Sequence, residues 1–244
     1  MFFKFKKGKQ RALIVRDSAL RLPEEQGNIK ITGGRMVEQN VNEELAELVG
    51  IMSGDGCLSV AAKRHLIYIS GHKVDDLQYH TITTKSLFKN VFNKEVFISF
   101  RKDENALFIR FSDKLIFDRF TSLGLPVGRK YGALKLPAFC EETQLFFAFL
   151  RGLFDTDGCV VLSKQHRQVP YYPRLEITSK SESFMKEILT KLRKLDFYGS
   201  VSDKGGSYRL ELPGHINLDL WVKQIGFHNP KHGNKAEKIK SKTL

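Results

Sequence analysis

Leu48-Val-Gly-Ile-Met-Ser-Gly-Asp-Gly-Cys57 and Leu150-Arg-Gly-Leu-Phe-Asp-Thr-Asp-Gly-Cys159 repeat one pattern, and the fold follows from there being two copies. Their aspartates, Asp55 and Asp157, stand 102 residues apart (157 − 55). The register persists downstream: Gly124, in Leu123-Gly124-Leu125, lies 69 residues beyond the first aspartate (124 − 55), and Gly226, in Ile225-Gly226-Phe227, lies 69 beyond the second (226 − 157). A fixed period of this kind means one structural unit present twice. In each unit an apolar stretch of helical period, 43–54 and 143–156, ends at Asp-Gly. Alternating segments follow, 58–70 and 96–112 in the first unit and 160–178 and 199–212 in the second. Between them lie amphipathic helices marked by Leu77, Leu87, Phe88 and Val91, and by Phe184, Ile188, Leu192 and Leu195. The expected order is α-β-β-α-β-β-α, twice: an α/β protein of the α+β type. The expected divisions are a basic extension over 1–40, a first half over 41–140 and a second over 141–244.

A chain of 244 residues, 41% of them hydrophobic, can bury a sizeable core. Forty Lys and Arg against 27 Asp and Glu give a net charge of +13, so the surface field attracts a polyanion, with nucleic acid the leading partner. Charge alone does not separate a sequence-specific enzyme from a generic basic protein such as a ribosome-associated factor. The longest apolar run, Leu145 to Phe154, is broken by Arg151 and is too short to span a bilayer, so no membrane partner is expected. Met1 to Lys7 lacks the apolar core of a signal peptide, which points to a soluble, intracellular protein. Cys57, Cys140 and Cys159 are odd in number and lack CxxC spacing, which argues against a disulfide framework or a zinc site; they are expected as small buried apolar groups.

Within the repeated stretch, Gly50 and Gly54, and Gly152 and Thr156, are small residues four apart on one helical face, a pattern that lets two helix backbones approach closely. Gly56 and Gly158 suit the left-handed turn that ends many helices. The aspartates need a different account. Each sits at the negative end of a helix dipole, which disfavours a carboxylate by roughly 0.3 to 1 kcal/mol. If the two helices pack side by side, the acids also face each other. A cation removes both penalties, and the carboxylate is a hard oxygen ligand suited to Mg²⁺.

Leu48 to Gly56 and Leu150 to Gly158 resemble the two signature motifs of the LAGLIDADG, or dodecapeptide, homing endonucleases, and the resemblance extends over about 200 residues, from Asn42 to Lys235. It implies two saddle-shaped antiparallel sheets, a central pair of motif helices meeting at Gly50 and Gly152, and a single chain working as a monomer. It further implies a divalent metal, Mg²⁺ above all, held by Asp55 and Asp157 with the carbonyls of Gly54 and Thr156. Ser53 departs from the acid usual at that position, which the second copy keeps as Asp155. The strand ends Ile69-Ser70-Gly71-His72-Lys73 and Ile177-Thr178-Ser179-Lys180 resemble the family's polar and basic pair, which places His72, Lys73, Ser179 and Lys180 around the reacting water. Either Lys130 or Lys135 matches the active-site lysine of the family's third block, with Lys231 and Lys235 in the corresponding stretch of the second half.

The hairpins carry the expected recognition surface, since alternation leaves one side of each strand free for the major groove. Its candidates are Lys63, Arg64, Tyr68, Ser99, Arg101 and Arg110 in the first half. In the second they are Lys164, Gln165, Arg167, Arg174, Ser202, Lys204, Tyr208 and Arg209. The expected function is a metal-dependent double-strand cut in a long double-stranded DNA site during intron homing. Two alternatives stand beside it: an RNA maturase binding intron RNA, and a DNA-binding regulator without cleavage. The chain starts at Met1 and ends Lys242-Thr243-Leu244, with neither a leading Cys or Ser nor a terminal His-Asn, so an intein arrangement is not expected.

Overall fold

Asn42 opens the first motif helix: its side-chain oxygen accepts the Leu45 amide at 2.9 Å, and Glu43 and Glu44 follow where the dipole favours acids. In the computed structural model, which describes residues 41–102, 104–164 and 171–241, this helix is α1 (Glu43–Ser53). It leads into strand β1 (Gly56–Ala61), which turns back through left-handed Ala62 and Lys63 into β2 (Arg64–His72). Then come α2 (Leu77–Tyr79), a π-helical turn (His80–Thr84), α3 (Lys85–Phe92), β3 (Ile98–Phe100), β4 (Ala106–Ser112) and α4 (Lys114–Ser122). After a short 3₁₀ turn (Ala138–Glu141) the order repeats as α5 (Thr143–Asp157), β5 (Gly158–Ser163), β6 (Tyr172–Ser179), α6 (Glu182–Arg193), β7 (Ser200–Asp203), β8 (Tyr208–Pro213) and α7 (Gly214–Gln224). A further helix, α8 (Pro230–Lys240), ends the described chain. The strands form two four-stranded antiparallel sheets of the same topology, β1-β2-β4-β3 and β5-β6-β8-β7.

The two motif helices lie against each other because glycine removes the side chains that would hold them apart. A Cβ on Gly50 would overlap the Phe149 carbonyl oxygen, and one on Gly152 would overlap that of Glu47. Around this seam one continuous apolar cluster takes in Leu48, Ile51 and Met52 of α1, Phe149, Leu150, Leu153 and Phe154 of α5, and the inner faces of both sheets. Each such fully buried side chain contributes about 1.5–3 kcal/mol.

Local details depart from expectation. Gly56 and Gly158 are not left-handed, because each already begins a strand, after a two-residue turn in the first half and directly after the helix in the second; they are needed for closeness instead, a Cβ on Gly158 meeting the Phe154 carbonyl oxygen at 2.5 Å. The helix expected around Leu77 to Val91 is interrupted by the π turn, and Leu77 itself is exposed. Of the cysteines only Cys140 is buried; Cys57 is partly exposed and Cys159 exposed, since both begin strands on the side away from the core. The extension over 1–40, Gln165 and Arg167 lie outside the described residues. Among those described, no helix is long and apolar enough to cross a membrane.

Candidate active site

With the helix backbones in contact, the two helix ends arrive together. A Cβ on Gly54 would meet the Thr156 Cβ at 3.0 Å and the Asp157 carboxyl carbon at 3.4 Å, so Asp157 lies beside the residue preceding Asp55. Burial first, and then the charges of Asp157 and Asp76, push the Asp55 carboxyl up to about 7, with Lys130 and Lys231 acting in opposition. Burial likewise raises Asp157 to about 6; its outer edge keeps solvent access, and Lys130 and Lys231 again oppose the shift. Both acids therefore hold their negative charge at a cost.

Lys130 reaches this point because its loop is docked on β1: the Gly128 amide donates to the Leu58 carbonyl at 2.7 Å, and Gly128 itself takes φ +84, where glycine is favoured. Its Nζ donates to the carbonyls of Met52 (3.3 Å), Ser53 (2.8 Å) and Gly54, placing a cation on the unsatisfied end of α1. Of the two sequence candidates, Lys130 is thus the one that stands with the acids. Lys135 is exposed and lines a surface groove with Leu123, Ala133 and Pro137.

The corresponding lysine of the second half is held differently. Lys231 Nζ donates to Asp76 Oδ1 at 2.6 Å, and the same oxygen accepts Asn229 Nδ2 at 3.0 Å while Asp76 Oδ2 accepts the His72 amide at 2.8 Å. Burial works to raise the Asp76 carboxyl, but these donors outweigh it and hold the group below the usual range. Asn229 also donates to the Asp155 carbonyl at 3.0 Å, and Asp155 Oδ2 accepts the amides of His228 (2.7 Å) and Asn229 (3.0 Å). One turn back, Glu47 joins Arg151 Nε (3.0 Å) and His228 Nδ1 (2.7 Å), tying α1, α5 and the lead into α8 together.

The side chains of the other expected positions take other partners. Lys73 is exposed, with Nζ 5.8 Å from the Phe100 ring centroid, and Lys180 lies over the Tyr131 ring at 4.3 Å and donates to its hydroxyl at 3.2 Å. His72 pairs with Asn105 at 2.8 Å and with Asp75 at 3.1 Å. Ser179 Oγ accepts the Ser181 amide at 3.3 Å, and Lys235 is exposed on α8. Thr156 donates its hydroxyl to the Gly152 and Leu153 carbonyls at 3.0 Å, one turn back on its own helix.

Asp76, Glu47 and Asn229 did not emerge from the sequence. Asp76 reads there as an ordinary acid before a helix, and no local signal points it at a partner 155 residues on. A usable signal did exist for Glu47: it is an acid inside one apolar helical run, and Arg151 is a base inside the other.

The donor set suits a hard divalent cation. Two carboxylates of raised proton affinity converge beside carbonyl oxygens at two helix ends. Among the described residues no three or more His, Cys, Asp or Glu side chains gather as a complete cage. Mg²⁺ has no need of one, since it is commonly held by one or two carboxylates, with waters and substrate phosphates completing the shell.

On the outer face of the first sheet, away from the helices, lie Arg64, Tyr68, Ser99 and Arg110, with Arg101 stacked on Phe108 at 4.5 Å. Lys63 is exposed in the β1–β2 turn. The second sheet turns Arg174, Ser202 and Arg209 outward, while Lys164 and Lys204 are exposed in its loops. Tyr208 is a correction: it packs against the core, because strand parity puts it on the side of Leu210 and Leu212.

A LAGLIDADG-like domain matches residues 145–226. Solved structures that share the fold include the homing endonuclease I-DmoI in complex with DNA and Mn, at TM-score 0.51 and 18% identity over 75% of this chain and 96% of that one. The LAGLIDADG meganuclease I-AabMI bound to uncleaved DNA gives 0.54 and 15% over 82% and 90%. Full-length DUF199/WhiA from Thermatoga maritima gives 0.55 and 18% over 83% and 61%. Among curated relatives, the replicative DNA helicase DnaB of Synechocystis sp. is 27% identical over 219 residues, 83% of this chain. The chain spans only 24% of that relative's length, and 12% of a tRNA-splicing ligase RtcB from Methanopyrus kandleri. The second half thus carries a LAGLIDADG-like domain, and the fold is that of the LAGLIDADG homing endonucleases.

Proposed function

We propose that this chain, with its LAGLIDADG-like domain and two-sheet fold, is a site-specific DNA endonuclease making a metal-dependent, staggered double-strand cut in a long target, in the manner of intron homing. One observation carries the reading: Asp55 and Asp157, from opposite halves, stand together at the ends of two helices in contact, each raised toward neutrality by its surroundings. Binding alone gives no reason to set two acids in a basic protein where nucleic acid would lie. The two halves, 41–140 and 141–244, supply one sheet each, so a monomer suffices.

A divalent cation bound there, Mg²⁺ by ligand chemistry, would supply Lewis acidity and an activated water. Asp55 and Asp157 would hold it, with the Gly54 and Thr156 carbonyls as further oxygen donors. Lys130, its ammonium on the carbonyls at the end of α1, would add positive charge beside a phosphate at the acids. Lys231, held by Asp76, would do the same from the second half. Lys73, Lys180, Lys135 and His72 act further out, on the DNA backbone. The outer sheet faces lie along the duplex, where arginines read guanine and polar groups meet phosphate.

The test is incubation with duplex DNA spanning an uninterrupted insertion site, with Mg²⁺ or with EDTA. A defined double-strand cut that needs Mg²⁺ supports the reading. Tight binding of that DNA without any cut would leave a DNA-binding regulator, and stimulated splicing of the intron RNA in place of a cut would leave a maturase.

A further inference from the structure

The outer face of the second sheet carries an arrangement not found among the described residues of the first. Strand register sets Glu176 of β6 directly opposite Glu211 of β8, on the side away from Leu175, Ile177, Leu210 and Leu212, which enter the core. Like charges directly opposite one another destabilise a strand pair. Here two arginines are threaded between them. Arg174 Nη2 lies 3.3 Å from Glu176 Oε1 and its Nη1 lies 3.5 Å from Glu211 Oε2, while Arg209 Nη1 lies 3.2 Å from Glu176 Oε2. Glu176 is only 8% exposed although its strand face is open, because both guanidinium groups lie over it. The pairs are imperfect: Glu176 Oε1 and Arg174 Nε are buried without a hydrogen-bond partner among the described residues. In the first sheet the residue opposite Arg110 is Tyr68, and Arg101 rests on Phe108 and pairs with Glu104, which is on a loop.

We infer that Glu176 is a specificity-determining positioning residue: it orients Arg174 and Arg209 to read guanine edges, and with Glu211 it withholds their charge from indiscriminate phosphate binding. The inference rests on the reading of this chain as a DNA-binding enzyme and names how one half of it chooses sequence. The chemistry is that of a guanidinium fork. An arginine offers five N–H donors in a plane; the carboxylates engage part of that edge and fix the plane, leaving the rest for the O6 and N7 of a guanine. Without the carboxylates the same arginines would be mobile cations, and phosphates, present at every step, would take them up.

The experiment is selection of bound duplexes from a randomised DNA library in EDTA, followed by salt titration of the selected duplex and of random duplex. Binding is read without cleavage, so the endonuclease reading can fail while this one is still decided. The wild type is expected to select guanine at positions that Arg174→Ala or Arg209→Ala randomises. Glu176→Gln should lower the ratio of selected to random affinity by about tenfold, and should steepen the salt slope on random DNA by about 1, the value for one more phosphate neutralised. Arg174→Lys, which keeps the charge but cannot fork, should lose the guanine preference with the slope unchanged. A Glu176→Gln protein that folds and shows the wild-type selected sequence and salt slope overturns the inference. So does an Arg174→Lys protein that keeps the preference. A wild type that retains no duplex DNA overturns the inference together with the function on which it rests.

Discussion

The two motif helices end in the same place and are held there by different means. At the end of α1 a lysine ammonium, that of Lys130, sits on three main-chain carbonyls, and the residue two before the aspartate is Ser53, which bonds back to the Val49 carbonyl at 2.8 Å. At the end of α5 the equivalent residue is Asp155, which receives two main-chain amides from the lead into α8, and the nearby lysine, Lys231, is turned to Asp76 of the other half. Burial raises the Asp155 carboxyl to about 7 against those amides. The topology is thus repeated while the charges are not. A duplicated unit can keep its packing symmetry, which the glycines enforce, and let each half solve the electrostatics of a helix end separately.

If the symmetry of the acids matters more than the asymmetry of their surroundings, the two aspartates are equivalent in effect. Asp55→Asn and Asp157→Asn should each lower double-strand cleavage at least about a hundredfold, as expected from losing several kcal/mol of metal-derived stabilisation. Duplex affinity should be retained. Single-turnover cleavage with Mg²⁺ measures this; a folded, DNA-binding variant that cuts at the wild-type rate removes the metal assignment for that half.

The glycine seam is the most symmetric part of the site, so Gly50→Ala and Gly152→Ala should behave alike. In each case the added Cβ meets main chain of the facing helix, which cannot swing aside as a side-chain end could. A cost of about 1–3 kcal/mol or more is expected from such overpacking, seen as a Tm lowered by at least about 2–4 °C per kcal/mol. Thermal unfolding of the two variants tests it, and a Tm unchanged in either would mean that the helices are not so close.

The lysines should part company. Each substitution strips a cation that acts on both acids, but Lys130→Met also strips three carbonyls of their ammonium, whereas Lys231→Met leaves Asp76 with its bonds from Asn229 and the His72 amide. Cleavage should fall about tenfold or more for Lys130→Met, on the scale of one lost charge-assisted bond, and less for Lys231→Met. Equal losses measured side by side would show that the different settings of the two lysines are immaterial.

What could be read from residues alone follows the same division. The period of 102 residues, the apolar helices and the small residues at Gly50 and Gly152 carry local, repeated signals, and they give both sheets and the helix pair. The acids were legible because two copies of an ordinary Asp-Gly step are not ordinary. Asp76 to Lys231 and Glu47 to Arg151 were not, because a single charge in sequence names no partner and the pairing is made only when the halves close. Lys73 and Lys180 were placed by analogy with strand ends, where side-chain direction depends on neighbours; their ammonium groups lie near the rings of Phe100 and Tyr131.

A smaller effect compares two buried histidines among the described residues, one per half. His80, in the π turn, is 1% exposed and pairs with Thr84 Oγ1 at 3.0 Å; burial lowers it to about 4, with Asp76 opposing and Lys231 assisting. His232, in α8, is 3% exposed and packs on the ring of Phe154 at 5.1 Å; burial lowers it to about 3, assisted by Lys231 and Lys235 and opposed by Asp76. Both folded values lie below the ordinary 6.5, so the fold holds both rings neutral. Their contribution to stability is then complete above pH 6.5 and is lost as the pH falls toward 4 and 3. The carboxylates titrate over part of that window, so the informative quantity is the difference between variant and wild type. His232→Leu and His80→Leu should each flatten the fall of Tm below pH 6.5, and by similar amounts down to about pH 4. Calorimetric Tm at pH steps from 7.5 to about 4 reads the difference directly. If both variants follow the wild-type slope, the histidines carry no acid sensitivity and the loss belongs to the carboxylates. If His80→Leu flattens it more, the first half, not the second, is where acid opens the fold.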